Sequence, residues 1–153
     1  MGTEIDDFAD ELQQQIIKEL REVYSEKVIE LFLHPKNIGK IENPDGFGRI
    51  KGSCGDTMEI FLRVNNGIIR SATYRTDGCG TTIASASMAT EMIKGKTIEE
   101  AGSITDKDIL DALGGLPDES KHCALLAADT IRAAINDYRK TNREPWKRKY
   151  RSF

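Results

Sequence analysis

Thr57-Met58-Glu59-Ile60-Phe61-Leu62-Arg63-Val64, closely followed by Asn66-Gly67 and then by Ile68 to Thr76, is the stretch on which the fold turns. Met58, Ile60, Leu62 and Val64 fall on one face and Thr57, Glu59 and Arg63 on the other. That is the two-residue period of a half-buried strand, with Phe61 the exception. Asn66-Gly67 is a two-residue hairpin signal because both positions tolerate positive φ. Ile68–Thr76 is therefore expected to return antiparallel, although its alternation through Ile68, Ala72 and Tyr74 is weaker, and a third strand is expected around Arg49–Lys51. After Cys79 the period becomes helical: Ile83, Ala86, Met88 or Ala89, Met92 and Ile93 share a face that Gly95 stops. Thr97 and Thr105 precede Glu99, Glu100 and Asp108 at the spacing of N-caps, which predicts two short helices. A final helix from about Ser120 carries Cys123, Leu126, Ala127, Thr130, Ile131, Ala134, Ile135 and Tyr138 on one stripe. Strands first and helices afterwards define an α+β domain, a small antiparallel sheet of about three strands with helices packed on one face.

Upstream of the strands, Ile5, Phe8, Leu12, Ile16, Leu20 and Val23 recur at three- and four-residue steps on a helix whose acidic first turn suits the macrodipole. Such a stripe belongs to a docking or pairing helix, and packing within the chain is expected of it ahead of dimerisation. A second apolar segment, Val28 to Leu33, is ended by Pro35, and Asn37 to Gly48 is a loop rich in turn formers. His34, at an expected turn before Pro35 with no second donor nearby, is expected to face solvent or cap rather than bind a metal. The division that results is a helical extension over 1–23, a domain over 24–140 and a basic tail over 141–153.

The 153 residues suffice for one domain with a core, and 22 Lys+Arg against 25 Asp+Glu give −3, so bulk charge favours neither nucleic acid nor an anionic membrane. The basic residues Arg139 to Arg151 with Trp146, Tyr150 and Phe153 among them fit a docking strip for an acidic partner better than an RNA site. No apolar run approaches the roughly 18 residues of a membrane span. Glu4, Asp6, Asp7 and Asp10 without a nearby base fit neither a secretory nor an organellar leader, and cytoplasm is the expected address.

Three cysteines carry the chemistry. Cys54 stands in Ser53-Cys54-Gly55-Asp56 before a strand, Cys79 in Gly78-Cys79-Gly80 between strand and helix, and Cys123 follows His122 near a helix start. Glycine beside an element-end thiol leaves it approachable by an ion or cluster, and a helix N-terminus favours thiolate at Cys79 and Cys123. Their spacing resembles no Cys-x-x-Cys module, so convergence must come from the fold. Three soft sulfurs with the imidazole of His122 and the hard carboxylate of Asp56 suit iron–sulfur or zinc binding. Durable electron carriers use four cysteines, so this set describes an exchangeable site. Scattered cysteines are equally read as buried inert thiols, with Asp56 a cap and His122 a surface residue; the flanking glycines and the His-Cys pair bring the two readings level.

Several ordered motifs go further. Tyr24-Ser25-Glu26-Lys27-Val28-Ile29, His34-Pro35-Lys36-Asn37-Ile38-Gly39, Ser53-Cys54-Gly55-Asp56, Thr76-Asp77-Gly78-Cys79-Gly80, Glu91-Met92-Ile93-Lys94-Gly95-Lys96-Thr97 and Ala112-Leu113-Gly114-Gly115-Leu116-Pro117 through His122-Cys123 stand in order along the chain. Together they resemble the IscU/NifU N-terminal-domain family of iron–sulfur cluster assembly scaffolds, over Tyr24 to Tyr138. The resemblance implies a SufE/NifU-like fold and a non-enzymatic scaffold. On it a labile [2Fe-2S] cluster is assembled from iron and cysteine-desulfurase-derived sulfur, then passed to apo iron–sulfur acceptor proteins.

It also implies Cys54, Cys79 and Cys123 as ligands, Cys123 as the persulfide acceptor from an IscS/NifS-type desulfurase, Asp56 as the residue that keeps the cluster labile, and His122 as a further candidate ligand. Tyr24 matches a tyrosine implicated in pairing two scaffolds, so a homodimer is a possible state. Leu116-Pro117-Asp118-Glu119-Ser120 departs from the Leu-Pro-Pro-Val-Lys segment read by a dedicated Hsp70 chaperone, which argues against that partner. The absence of a long insertion between Cys79 and Cys123 separates the chain from the zinc-binding SufU branch. A zinc-dependent sulfur acceptor of the SufU type, with zinc in the cluster-free form, is the runner-up.

Overall fold

The computed structural model describes residues 4–146. The Asn66-Gly67 turn holds both residues at positive φ, 54° and 72°, and joins β2 (Thr57–Asn65) to β3 (Ile68–Thr76) antiparallel, while β1 (Gly46–Lys51) pairs with the other edge of β2. Among the described residues, six α-helices accompany this three-stranded sheet: α1 (Glu4–Val23), α2 (Glu26–Leu33), α3 (Gly80–Ile93), α4 (Ile98–Gly102), α5 (Asp106–Leu113) and α6 (His122–Arg143). The weak alternation of β3 has a local cause. Val64 pairs with Ile69 but Arg63 with Ser71, so a bulge at Arg70 shifts the phase and turns Ile69, Ala72 and Tyr74 all inward.

Met58, Ile60 and Leu62 of β2 and Ala72 and Tyr74 of β3 are buried against the helices that cover this face. Phe61 points the other way yet is fully buried. Its ring lies 5.1 Å from that of Phe47 and under the Arg75 guanidinium, and Glu59 binds Arg49 at 2.7 Å and Arg75 at 3.0 Å across the same surface. This aromatic and ionic lid explains the apolar residue on the polar side of the strand.

α6 lies so near β1 that side chains are excluded between them. A Cβ at Gly48 would stand 2.6 Å from the Ala134 nitrogen and 2.7 Å from the Thr130 oxygen, so only glycine permits the contact. The Phe47 amide donates to Asp137 Oδ2 at 2.8 Å and fixes the register of helix on strand. α3 is buried on nearly every side, a wider face than its Ile83–Ile93 stripe predicts, because small residues let β3, α2, α5 and α6 surround it. Thr97 and Thr105 each close a capping box, with Glu100 and Asp108 respectively.

One expectation needs correction. Among the described residues the α1 stripe is not covered: no residue of α1 is buried, and its contacts with the body are confined to α2 at its end. The last helix begins at His122, close to its expected start, with Asp118–Ser120 forming a 3₁₀ turn ahead of it. His34 is exposed at the C-terminal end of α2, where its amide donates to the Glu30 carbonyl. α6 runs through Arg143, and most of the aromatic and basic tail lies outside the described residues.

Candidate functional site

Three chain segments meet at one end of the sheet. The β1–β2 loop is turned by the Gly52 amide donating to the Asp56 carbonyl at 2.8 Å and by Gly55 at φ 92°, and it presents Cys54 and Asp56. The β3–α3 corner is tied down by the Asp77 carboxylate accepting from the Thr57 amide at 2.7 Å and by Thr76 Oγ1 accepting from the Gly78 amide at 3.1 Å. That corner leaves Cys79 as the N-cap residue of α3. Leu116-Pro117 and the 3₁₀ turn deliver His122 and Cys123 into the first turn of α6.

Two threonines that sequence reasoning did not single out join these segments. Thr81 Oγ1 stands 3.7 Å from Cys79 Sγ and 3.5 Å from Cys123 Sγ. Thr82 Oγ1 donates to Asp56 Oδ2 at 3.1 Å and lies 3.4 Å from Cys123 Sγ. His122 Nε2 is 3.7 Å from the same sulfur. One continuous set of contacts thus links Asp56, Cys79, His122 and Cys123. The signal for it in the sequence is the pair of adjacent hydroxyls immediately after Gly78-Cys79-Gly80, in the first turn of a helix that a cysteine caps.

Cys54 is exposed on the same loop as Asp56, and its thiol takes no part in these contacts. Cys79 is also exposed, whereas Cys123 is only 2% exposed. Among the described residues, no three His, Cys, Asp or Glu side chains are gathered closely enough to hold a metal ion. The donors therefore share an end of the molecule with Thr81 and Thr82 standing between them. Donor chemistry nevertheless fits a soft metal: two accessible thiols, a third buried beside Thr81 and Thr82, and the Asp56 carboxylate and His122 imidazole next to it.

The Cys79 thiol is held below the ordinary thiol range. The Thr81 hydroxyl is the largest cause, with the Thr81 and Thr82 amides adding to it, while partial burial and the Asp56 charge oppose it. Neither amide closes a capping hydrogen bond on the sulfur, so this is the pull of a helix N-terminus rather than a formal cap. Gly78 is required beside it, since a Cβ there would meet the Thr82 side chain at 2.6 Å.

This α+β body, with thiols at three element ends around a helix start, defines a class. The model of the NifU-like N terminal domain matches residues 23–145, and the chain belongs to that family. Among its relatives, the iron-sulfur cluster assembly scaffold protein IscU 1 of Archaeoglobus fulgidus is 50% identical over 121 residues, 78% of this chain and 79% of that protein. The IscU scaffold protein of Escherichia coli K12 is 46% identical over 126 residues, 79% of this chain and 97% of its own. Solved structures agree on the fold. The NifU-like N-terminal protein of Brucella abortus superposes with a TM-score of 0.62 at 18% identity, covering 79% of this chain and 97% of that one. A protein of Fervidobacterium islandicum AW-1 assigned to the SUF-system cluster assembly scaffolds gives 0.59 at 25% identity, covering 73% and 96%. No helix among the described residues is long and apolar enough to cross a membrane.

Proposed function

We propose that this protein is a non-catalytic scaffold on which iron and desulfurase-derived sulfur are built into a labile [2Fe-2S] unit, which is then handed to apo-proteins. The observation that carries the reading is the linkage of Asp56, Cys79, His122 and Cys123 through the Thr81 and Thr82 hydroxyls, with Cys54 on the loop that bears Asp56.

Sulfur arrives first at Cys123. Its thiolate attacks the outer sulfur of a desulfurase persulfide, the S–S bond there breaks, and the desulfurase thiolate leaves. Because Cys123 is buried under Thr81 and Thr82, it accepts sulfur only after these contacts open; docking of the desulfurase is the natural trigger. Reduction of sulfane sulfur to sulfide draws half its electrons from ferrous iron and the rest from a thiol reductant. Cys54 and Cys79, already exposed, supply soft donors to the growing cargo, and the seat of Cys79 favours the thiolate form that binds iron. Asp56 contributes a hard oxygen that soft iron–sulfur chemistry holds loosely, which keeps the cargo exchangeable.

The likeness to a SUF-system protein supports a second reading, a zinc-dependent sulfur acceptor using the same donors. Anaerobic incubation with ferrous iron, cysteine, dithiothreitol and a cysteine desulfurase separates the two. Visible sulfide-to-iron charge-transfer bands support the scaffold; tight colourless zinc with catalytic sulfur-acceptor turnover supports the enzyme. In the same assay Asp56→Ala should slow loss of the cluster to a chelator, and faster loss would remove Asp56 from its assigned role.

A further inference from the structure

Among the described residues, the apolar stripe of α1 is left uncovered. Ile5, Phe8, Leu12, Ile16 and Val23 of α1 are exposed to 79, 66, 48, 49 and 58%, and an ion pair between Arg21 and Glu26 at 2.8 Å ties the end of the helix to α2. We propose that α1 is the pairing helix of a homodimer, laid antiparallel against α1 of a second copy with the two-fold axis beside Gln14.

The occupant follows from the order of residues. Positions 5, 8, 12, 16, 20 and 23 read the same from either end, being symmetric about Gln14. Two antiparallel copies crossing there place Ile5 in a layer with Val23, Phe8 with Leu20 and Leu12 with Ile16. Every residue of the stripe meets an apolar residue in a self-complementary contact. The steps repeat after 11 residues, from Ile5 to Ile16 and from Leu12 to Val23, the period that holds a stripe nearly straight along a helix.

Charge selects the orientation. Glu4, Asp6, Asp7, Asp10 and Glu11 fill the first half without a base, whereas Lys18 and Arg21 offset Glu19 and Glu22 in the second. A parallel pair would set two acidic halves side by side and align the macrodipoles. The antiparallel pair sets each acidic half beside a neutral one and opposes the dipoles. The same acidity disfavours an anionic membrane as the occupant.

The stripe exposes on the order of 600 Å² per copy, close to the ~800 Å² per partner of a stable complex. A 20-residue helix is about 30 Å long, and α2 begins three residues after α1 ends, so the two bodies hang from opposite ends of the rod. Each copy then keeps its own donor set, and the sites stay one per subunit. The pairing is independent of the cargo proposed above.

Sedimentation equilibrium of the full chain tests it. The wild type should sediment as a dimer at micromolar concentration. Leu12→Asp, which enters both central layers through the two-fold, should raise the dissociation constant roughly a hundredfold or more while the cooperative unfolding of the body is retained. Orientation is read at Gln13, which borders the stripe beside the two-fold and in an antiparallel pair faces its own copy. Gln13→Lys and Gln13→Glu should each weaken association severalfold alone and form a heterodimer when mixed. A wild-type monomer, a monomer that binds phosphatidylcholine vesicles, a dimer that survives Leu12→Asp, or charge variants that show no preference on mixing would each overturn the proposal.

Discussion

Thr82→Val removes one hydroxyl from the centre of the candidate site and keeps the side-chain shape. Thr82 is fully buried, so the isosteric methyl fits, and two contacts are lost together: the donation to Asp56 Oδ2 at 3.1 Å and the approach to Cys123 Sγ at 3.4 Å. A hydrogen bond to a charged group contributes about 1.5–3 kcal/mol, and the partial exposure of Asp56 places this one near the lower end. With about 1.5 kcal/mol gone from the link between the β1–β2 loop and α3, the opened form of the site should be populated about tenfold more. Cys123 reports on that opening because it is buried while Cys54 and Cys79 are not. Iodoacetamide labelling of the folded protein, followed by peptide mass mapping, should therefore show Cys123 modified about tenfold faster in the variant, with Cys54 unchanged as the internal control. Equal labelling of Cys123 in both proteins would refute the idea that the Thr82–Asp56 bond keeps the site shut.

Thr81→Ala should move the pH midpoint of Cys79 alkylation upward, because the Thr81 hydroxyl is the main cause holding that thiol below its ordinary range; an unmoved midpoint would show that the helix start alone sets it. A depressed folded pKa adds stability that is fully present above the unfolded thiol pKa and is lost as pH falls through the folded value, so Thr81→Ala should flatten stability across that interval in urea titrations. Gly48→Ala should destabilise by about 3 kcal/mol in the same titrations, since the new methyl meets helix backbone rather than a movable side chain; a loss near zero would mean that α6 lifts freely from β1.

The sheet was legible in the sequence because two local signals agreed. Alternation over Thr57–Val64, broken only at Phe61, and a turn that positive φ satisfies leave little choice of pairing or register. Alternation fails where tertiary structure intervenes. The bulge at Arg70 displaces the phase of β3, and Phe61 is buried on the outer face by Phe47 and Arg75, neither of which is its sequence neighbour. The width of α3 burial was hidden for a related reason: alanine, serine and threonine give no periodic contrast, so a helix enclosed on all sides resembles a weakly amphipathic one.

The site shows the same division between local and non-local information. Glycines and helix starts mark Cys54, Cys79 and Cys123 as unusual thiols, and these marks are local. What joins Cys79 to Cys123 is a hydroxyl on the first turn of α3, and what joins Asp56 to Cys123 is the next hydroxyl along the same turn. Neither threonine is a ligand type, so a search for soft donors passes over both. Their position keeps apart a donor set that comes from three segments. Hydroxyls are weak partners for sulfur, strong enough to hold Cys123 among them and Asp56 beside them, yet far weaker than a metal–thiolate bond. A metal or a sulfur donor entering this end replaces weak contacts with strong ones without having to break an ion pair or a disulfide. In the function proposed above, release would reverse the exchange and return the thiol to the hydroxyls. A scaffold that both accepts and surrenders its cargo would draw on competition of this strength, and Thr81 and Thr82 are placed to supply it from within the helix that already positions Cys79.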